Sequence, residues 1–211
     1  SIRLSKTCQD RGNLFGSLYV KERGETVMKN IITISREFGS GGRTVGKKVA
    51  EQLGIPCYDH ELIDRLAEES GLSKEYITNE SEYASHSSWT AAAFSSVRSF
   101  GVPSNQDYLW AIQRRIILEL GQKENCVIVG RCATNILKDK SLKIFIHAPF
   151  EERVQNVIRR TGREEASARK LVKKMDKERK AYYEYFTDSK WLDMTQYDLC
   201  IDSSRLSLIH I

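Results

Sequence analysis

Between Arg36 and Thr44 the chain reads REFGSGGRT, with three glycines, two arginines and two hydroxyl residues in nine positions. Glycine lets a backbone take positive φ and come close to a ligand, so successive N–H groups at Gly39, Ser40, Gly41 and Gly42 can converge on an anion. The helical pattern TVGKKVAEQLG follows at once, and the unpaired donors and positive dipole end of its first turn favour the same negative group. The expected chemistry is therefore phosphate binding, with the Thr44 hydroxyl placed near a magnesium ion. The usual arrangement G-x-x-x-x-G-K-[ST] is not met, because Arg36 stands first, Gly42 fills the lysine slot and Arg43 the hydroxyl slot. Arg36, Arg43 and Lys47 are the cations at hand. Arg43 is the expected replacement because it adjoins the slot, although a guanidinium is longer than an ammonium. A tight strand-to-helix turn that holds no ligand is the plainer alternative.

Further cations recur along the chain. Asp59 ends a short strand-like run, and Arg65 stands six residues beyond it on the first turns of a helical pattern. A planar fork there can take two phosphate oxygens, or else pair with Glu61 or Glu69 on a helix surface. Arg131 directly follows the apolar run CVIVG, where a buried charge needs an anionic partner. From Glu151 to Phe186 there are eleven Lys or Arg against seven Asp or Glu. A basic stretch of this kind can be a nucleic-acid patch or a clamp for small-molecule phosphates, and Arg159, Arg160, Arg163 and Arg179 lie in it. A solvated helix face is the alternative, above all for Arg169. YYEYF (182–186) reads as packing rather than as a base-stacking platform, and His60 as a polar helix-start residue rather than a base.

The elements that must position these groups alternate. Short apolar runs at 31–35, 56–59, 126–130, 142–148 and 197–203 are separated by helical patterns, among them 44–54, closed by Gly54 as C-cap, and 108–121. Strands with little polar alternation, joined by helices, indicate a parallel sheet covered on both faces. Right-handed crossovers bring all strand C-termini, and hence the glycine loop and Arg131, to one ligand-binding edge. Residues 84–106, rich in Ser and Ala, read as a loop or flap. Residues 1–27 stand outside the pattern and are expected to be a disordered leader or linker, leaving 28–211 as one domain.

With 40% hydrophobic and 29% charged residues, the composition suits a soluble globular chain with no bilayer span. No apolar signal region opens the sequence. The five cysteines, Cys8, Cys57, Cys126, Cys132 and Cys200, include no C-x-x-C pair. Neither a disulfide framework nor a zinc site is expected, and reducing cytoplasm is the natural compartment. Cys57, Cys126 and Cys200, in or beside the apolar runs, are expected to behave as small buried hydrophobes.

The loop resembles that of cytidylate kinases, G-P-S-G-S-G-K-G-T, matching at Gly39, Ser40, Gly41 and Thr44. ISREFGSGGR followed by YDHELI is closer still to the cytidylate kinase-like family, in which this altered loop is the usual form. CYDHELIDR resembles the family's Y-L-D-T-G-A-x-Y-R at Asp59 and Arg65, VIVGRC resembles V-V-x-G-R-D with Cys132 in the aspartate's place, and DKER (176–179) resembles the D-x-x-R of the lid. The resemblance implies a three-layer α/β/α P-loop NTPase fold, with a five-stranded parallel sheet in the order 2-3-1-4-5. It also implies an acceptor region over about 60–106 and a helical lid over about 159–190. ATP and Mg2+ are the implied cofactors. Gly39 to Thr44 would hold the donor phosphates, Thr44 the metal, and Asp59, Arg65 and Arg131 a small acceptor such as a nucleoside monophosphate. Arg43, Arg160, Arg163 and Arg179 would assist transfer. A nucleotide-sensing or partner-binding module that has lost the chemistry is the alternative, favoured by Gly42 and Cys132. Binding of nucleic acid through the basic lid ranks lowest, since its charge is of mixed sign. The acceptor's identity and the oligomeric state are not written in the sequence.

Overall fold

The computed structural model describes residues 18–22, 25–29, 31–59, 61–71, 73 and 105–206. Two strands, β1 (Leu18–Glu22) and β2 (Glu25–Lys29), pair antiparallel. The sequence predicts no structure there, although Tyr19, Val20, Thr26 and Val27 favour the pleated conformation. The main sheet holds β3 (Ile31–Arg36), β4 (Cys57–Tyr58), β5 (Cys126–Val129), β6 (Leu142–His147) and β7 (Leu199–Asp202). All neighbours are parallel, in the order β4-β5-β3-β6-β7. Counted from β3 this is 2-3-1-4-5, as expected.

Among the described residues six helices connect the strands: α1 (Gly42–Leu53), α2 (Glu61–Ser70), α3 (Asn105–Lys123), α4 (Ala133–Leu137), α5 (Phe150–Thr161) and α6 (Glu165–Thr187). Gly54, at φ 64°, closes α1. Side chains alternate between the sheet's faces with the two-residue period of a strand. Ile32, Ile34, Val127, Val129, Ile144 and Ile146 meet Val45 and Ala50 of α1 on one face. On the other, Ile31, Cys126 and Ile128 meet Leu62 and Leu66 of α2 and Leu109, Ile112 and Ile116 of α3. Each buried aliphatic side chain contributes about 1.5–3 kcal/mol by leaving water. The same face of β3 turns polar toward its C-terminus, where Thr33 bonds Ser141 at 3.2 Å and Ser35 bonds Thr134 at 3.1 Å. Polar groups so deep in a sheet need such partners.

A third cluster joins Phe145, Tyr183, Trp191 and Tyr197, with Trp110 stacked on Phe186 at 4.7 Å. Tyr182, Tyr183 and Phe186 thus serve packing, as expected, while Tyr185 is exposed. A fourth joins Val154 and Val157 of α5 to Ala168 and Val172 of α6, with Phe38 against it. The glycine loop is thereby fastened to the lid through one aromatic ring.

Cys126 and Cys132 are buried and Cys57 partly so, but Cys200 is exposed, contrary to expectation. It sits on β7, an edge strand with a neighbour on one side only. Among the described residues no helix is long and apolar enough to cross a membrane. The stretch expected to be a flap lies mostly outside the described residues, as do His60 and the first seventeen positions.

Candidate functional site

The strand β3 runs into the glycine loop, whose carbonyl oxygens are taken by the protein. Glu37 O accepts Ser40 Oγ at 2.9 Å, and Phe38 O accepts Arg153 Nη1 at 3.1 Å. Gly39 O accepts Asn156 Nδ2 at 2.9 Å, and Ser40 O accepts Ser203 Oγ at 2.6 Å. With its acceptors turned into protein, the loop presents amides on the other side. The Glu37 amide donates to Ile146 O at 3.0 Å and the Phe38 amide to Asp176 Oδ1 at 2.8 Å. The Gly41, Gly42, Arg43 and Thr44 amides have no hydrogen-bond partner among the described residues. Gly41 serves as N-cap at φ 76°, and the first turn of α1 has neither a side-chain cap nor an acidic residue. A helix start left uncapped in this way is suited to an external anion. A Cβ at Gly41 would meet nothing within 4 Å, so that side of the loop is open.

Ser40, expected at the ligand, instead shapes the loop: its side chain is buried, and its hydroxyl and amide both go to Glu37 O. Thr44 is exposed on the first turn of α1. Arg43 departs from the sequence expectation. Its guanidinium pairs with Asp59 at the end of β4 rather than lying beside the loop. The reason is geometric: position 43 projects from the first turn toward the neighbouring strand, while sequence adjacency suggests a place beside the loop. Arg65 lies 3.8 Å from both Glu69 and Glu119, the surface pairing that was the alternative to phosphate binding.

Arg131 lies where the sequence places it, beyond β5 on the ligand edge. Gly130, Arg131 and Cys132 all have positive φ, at 78°, 55° and 54°, a costly run for two residues with side chains. The segment is held by Gly130 N to Ile34 O at 2.8 Å and by Gln113 Nε2 to Arg131 O at 3.1 Å. Arg131 is 8% exposed, and neither Nη1 nor Nη2 has a hydrogen-bond partner among the described residues. It lines a cleft with Ser35, Arg36, Gly130, Cys132, Arg179, Tyr182, Tyr183 and Trp191. Among the described residues three guanidinium-bearing side chains and no carboxylate line it. Burial pushes the Cys132 thiol up to about 12, so the residue in the aspartate's place is an uncharged, inert thiol.

Helices α5 and α6 meet the loop through residues that sequence reasoning did not single out. Arg153 of α5, only 7% exposed, pairs with Asp176 and lies 3.3 Å from Glu37, whose own carboxylate accepts Ala148 N at 3.2 Å. Burial outweighs the Arg153 charge and raises the Glu37 carboxyl above its ordinary value. The guanidinium of Arg179 lies over the Phe38 ring at 5.2 Å and donates to Arg36 O at 3.2 Å. Arg160 covers the same ring at 5.5 Å. Arg163 is exposed between α5 and α6. Of the lid arginines, Arg179 is the one that lines the cleft. Only the D-x-x-R spacing hinted at Asp176.

Residues 31–205 match the cytidylate kinase-like family, and the chain belongs to it. The cytidylate kinase of Pyrococcus horikoshii is 30% identical over 182 residues, 85% of this chain and 82% of that one. A crystal structure of an uncharacterized protein from Eubacterium ventriosum superposes with TM-score 0.60 and 32% identity, covering 83% of this chain and 92% of that chain. Shikimate kinase from Bacteroides thetaiotaomicron, at 15% identity and TM-score 0.51 over 84% of this chain and 89% of its own, shares the fold. The architecture is that of the P-loop kinases. Family and fold together support a nucleotide-binding phosphotransferase.

Proposed function

We propose that the protein is an ATP- and Mg2+-dependent kinase that phosphorylates a small acceptor, with nucleoside monophosphates the leading class, in a reducing cytoplasm. The observation that carries this is the buried, unpartnered Arg131 guanidinium on a carboxylate-free cleft, at the same sheet edge as the open amides of Gly41 to Thr44. A buried charge without a partner costs several kcal/mol, so the cleft is built to be completed by an anion.

The residues fit the cofactors. Gly41, Gly42, Arg43 and Thr44 would receive the donor phosphates by their amides. Mg2+ takes several waters and substrate oxygens, so the single exposed Thr44 hydroxyl suffices as its protein contact. When bound, the ion neutralises charge on the phosphates. Arg131 would orient the acceptor phosphate, and Arg179, carried by α6 and seated on Phe38, would supply positive charge as transfer proceeds. An acceptor that is already a phosphate needs no general base. Tyr182, Tyr183 and Trp191 close the cleft wall and keep water from it.

A coupled assay with ATP and Mg2+ across nucleoside monophosphates and small hydroxyl metabolites tests the proposal. Turnover with at least one anionic acceptor is expected. ATP binding without turnover on any acceptor contradicts it and leaves a nucleotide-sensing module.

A further inference from the structure

The loop departs from the usual pattern at positions 36, 42 and 43, and in space the first two are one departure. A Cβ built on Gly42 would stand 2.6 Å from the Arg36 Cβ and 3.0 Å from its Cγ. Heavy atoms of unbonded side chains do not approach so closely, so a side chain at 42 and the one present at 36 exclude each other. Beyond Gly42 the Arg36 side chain reaches Gly130, where a Cβ would stand 1.9 Å from Nη1 and 2.7 Å from Cζ. Two glycines, one at the start of α1 and one after β5, therefore form a seat for this single arginine. The seat delivers its guanidinium to the cleft wall beside Arg131 and Arg179.

We propose that Arg36 is the loop's phosphate cation: it enters from the end of β3 the space that a lysine at 42 would enter from α1, and contacts the terminal phosphoryl group of a nucleoside triphosphate. The missing lysine is thus relocated rather than lost, and Arg43, tied to Asp59, is not its replacement. A guanidinium is longer than an ammonium and offers a flat fork of donors. Entry one strand-end farther back compensates for that length. This inference rests on the nucleotide-binding proposal above.

The test is calorimetric titration of the full chain with MgATP, with thermal unfolding of each variant. Wild type binds, and Arg36→Met weakens binding about 10- to 100-fold. Gly42→Lys alone lowers the melting temperature and the affinity, whereas Arg36→Gly/Gly42→Lys regains both. The steric half has a readout free of ligand: Gly42→Ala lowers the melting temperature when Arg36 is present and does not when it accompanies Arg36→Gly. Wild-type binding with unchanged binding by Arg36→Met overturns the inference and leaves nucleotide binding intact. Equal cost of Gly42→Ala in both backgrounds overturns the shared-space argument. No MgATP binding by wild type overturns the nucleotide proposal and this inference with it.

Discussion

Arg131 bears two costs at once, a backbone at φ 55° and a buried guanidinium whose terminal nitrogens lack partners. Had it been a structural ion-pair residue, its removal would destabilise the fold, as breaking a buried pair does. The opposite is expected here. Arg131→Met raises unfolding stability by about 1 kcal/mol and lowers kcat/KM for the acceptor at least about 100-fold, a pairing that urea titration and steady-state kinetics read together. Gly41→Ala puts a Cβ at φ 76° facing open space. It costs about 1–2 kcal/mol in stability and weakens nucleotide binding further, measurable by unfolding with and without MgATP. Glu178 is buried with Oε2 unpartnered, and burial raises its carboxyl above the ordinary 4.5. The folded state therefore holds this proton more tightly than the unfolded chain. The stabilising contribution is complete below pH 4.5 and is lost as pH rises through the folded value. Glu178→Gln flattens that decline and raises stability at pH 7 by about 1 kcal/mol, which unfolding curves across the pH range check.

Helices α5 and α6 act on the loop as one clamp. Asp176 takes the Phe38 amide and the Arg153 guanidinium, so Asp176→Ala leaves the part-buried Phe38 amide without its partner and Arg153 with Glu37 as its remaining carboxylate. A loss of about 2–4 kcal/mol and faster hydrogen exchange at Phe38 are expected. The strands of the main sheet were legible in the sequence, because a parallel sheet covered on both faces leaves continuous apolar runs such as CVIVG and LKIFIHA, whereas the β1–β2 pair was not. Arg131 was legible too, as a charge directly after such a run. The clamp was not. Arg153, Asn156 and Ser203 reach the loop's carbonyl oxygens from more than a hundred residues away, and a carbonyl has no letter in the sequence. Arg43 misled through adjacency: one residue from the lysine slot along the chain is about 100° away around a helix.

Across the whole molecule, several basic side chains among the described residues are met by carboxylates. Arg169 meets Glu151 and Glu165, Arg153 meets Glu37 and Asp176, and Lys174 meets Glu178. Arg36, Arg131 and Arg179 line the cleft. Binding to long polynucleotides should consequently lack the steep salt dependence that a protein neutralising many phosphates shows, as fluorescence titrations at two ionic strengths would reveal. What remains is an edge of the sheet that carries both the uncapped amides of the glycine loop and the buried Arg131 guanidinium. Backbone amide NMR shifts on addition of a non-hydrolysable MgATP analogue address it directly. The account predicts the largest changes at Gly41, Gly42, Arg43 and Thr44, saturating with nucleotide concentration. Saturable binding that leaves those four amides unmoved while shifting others would contradict it.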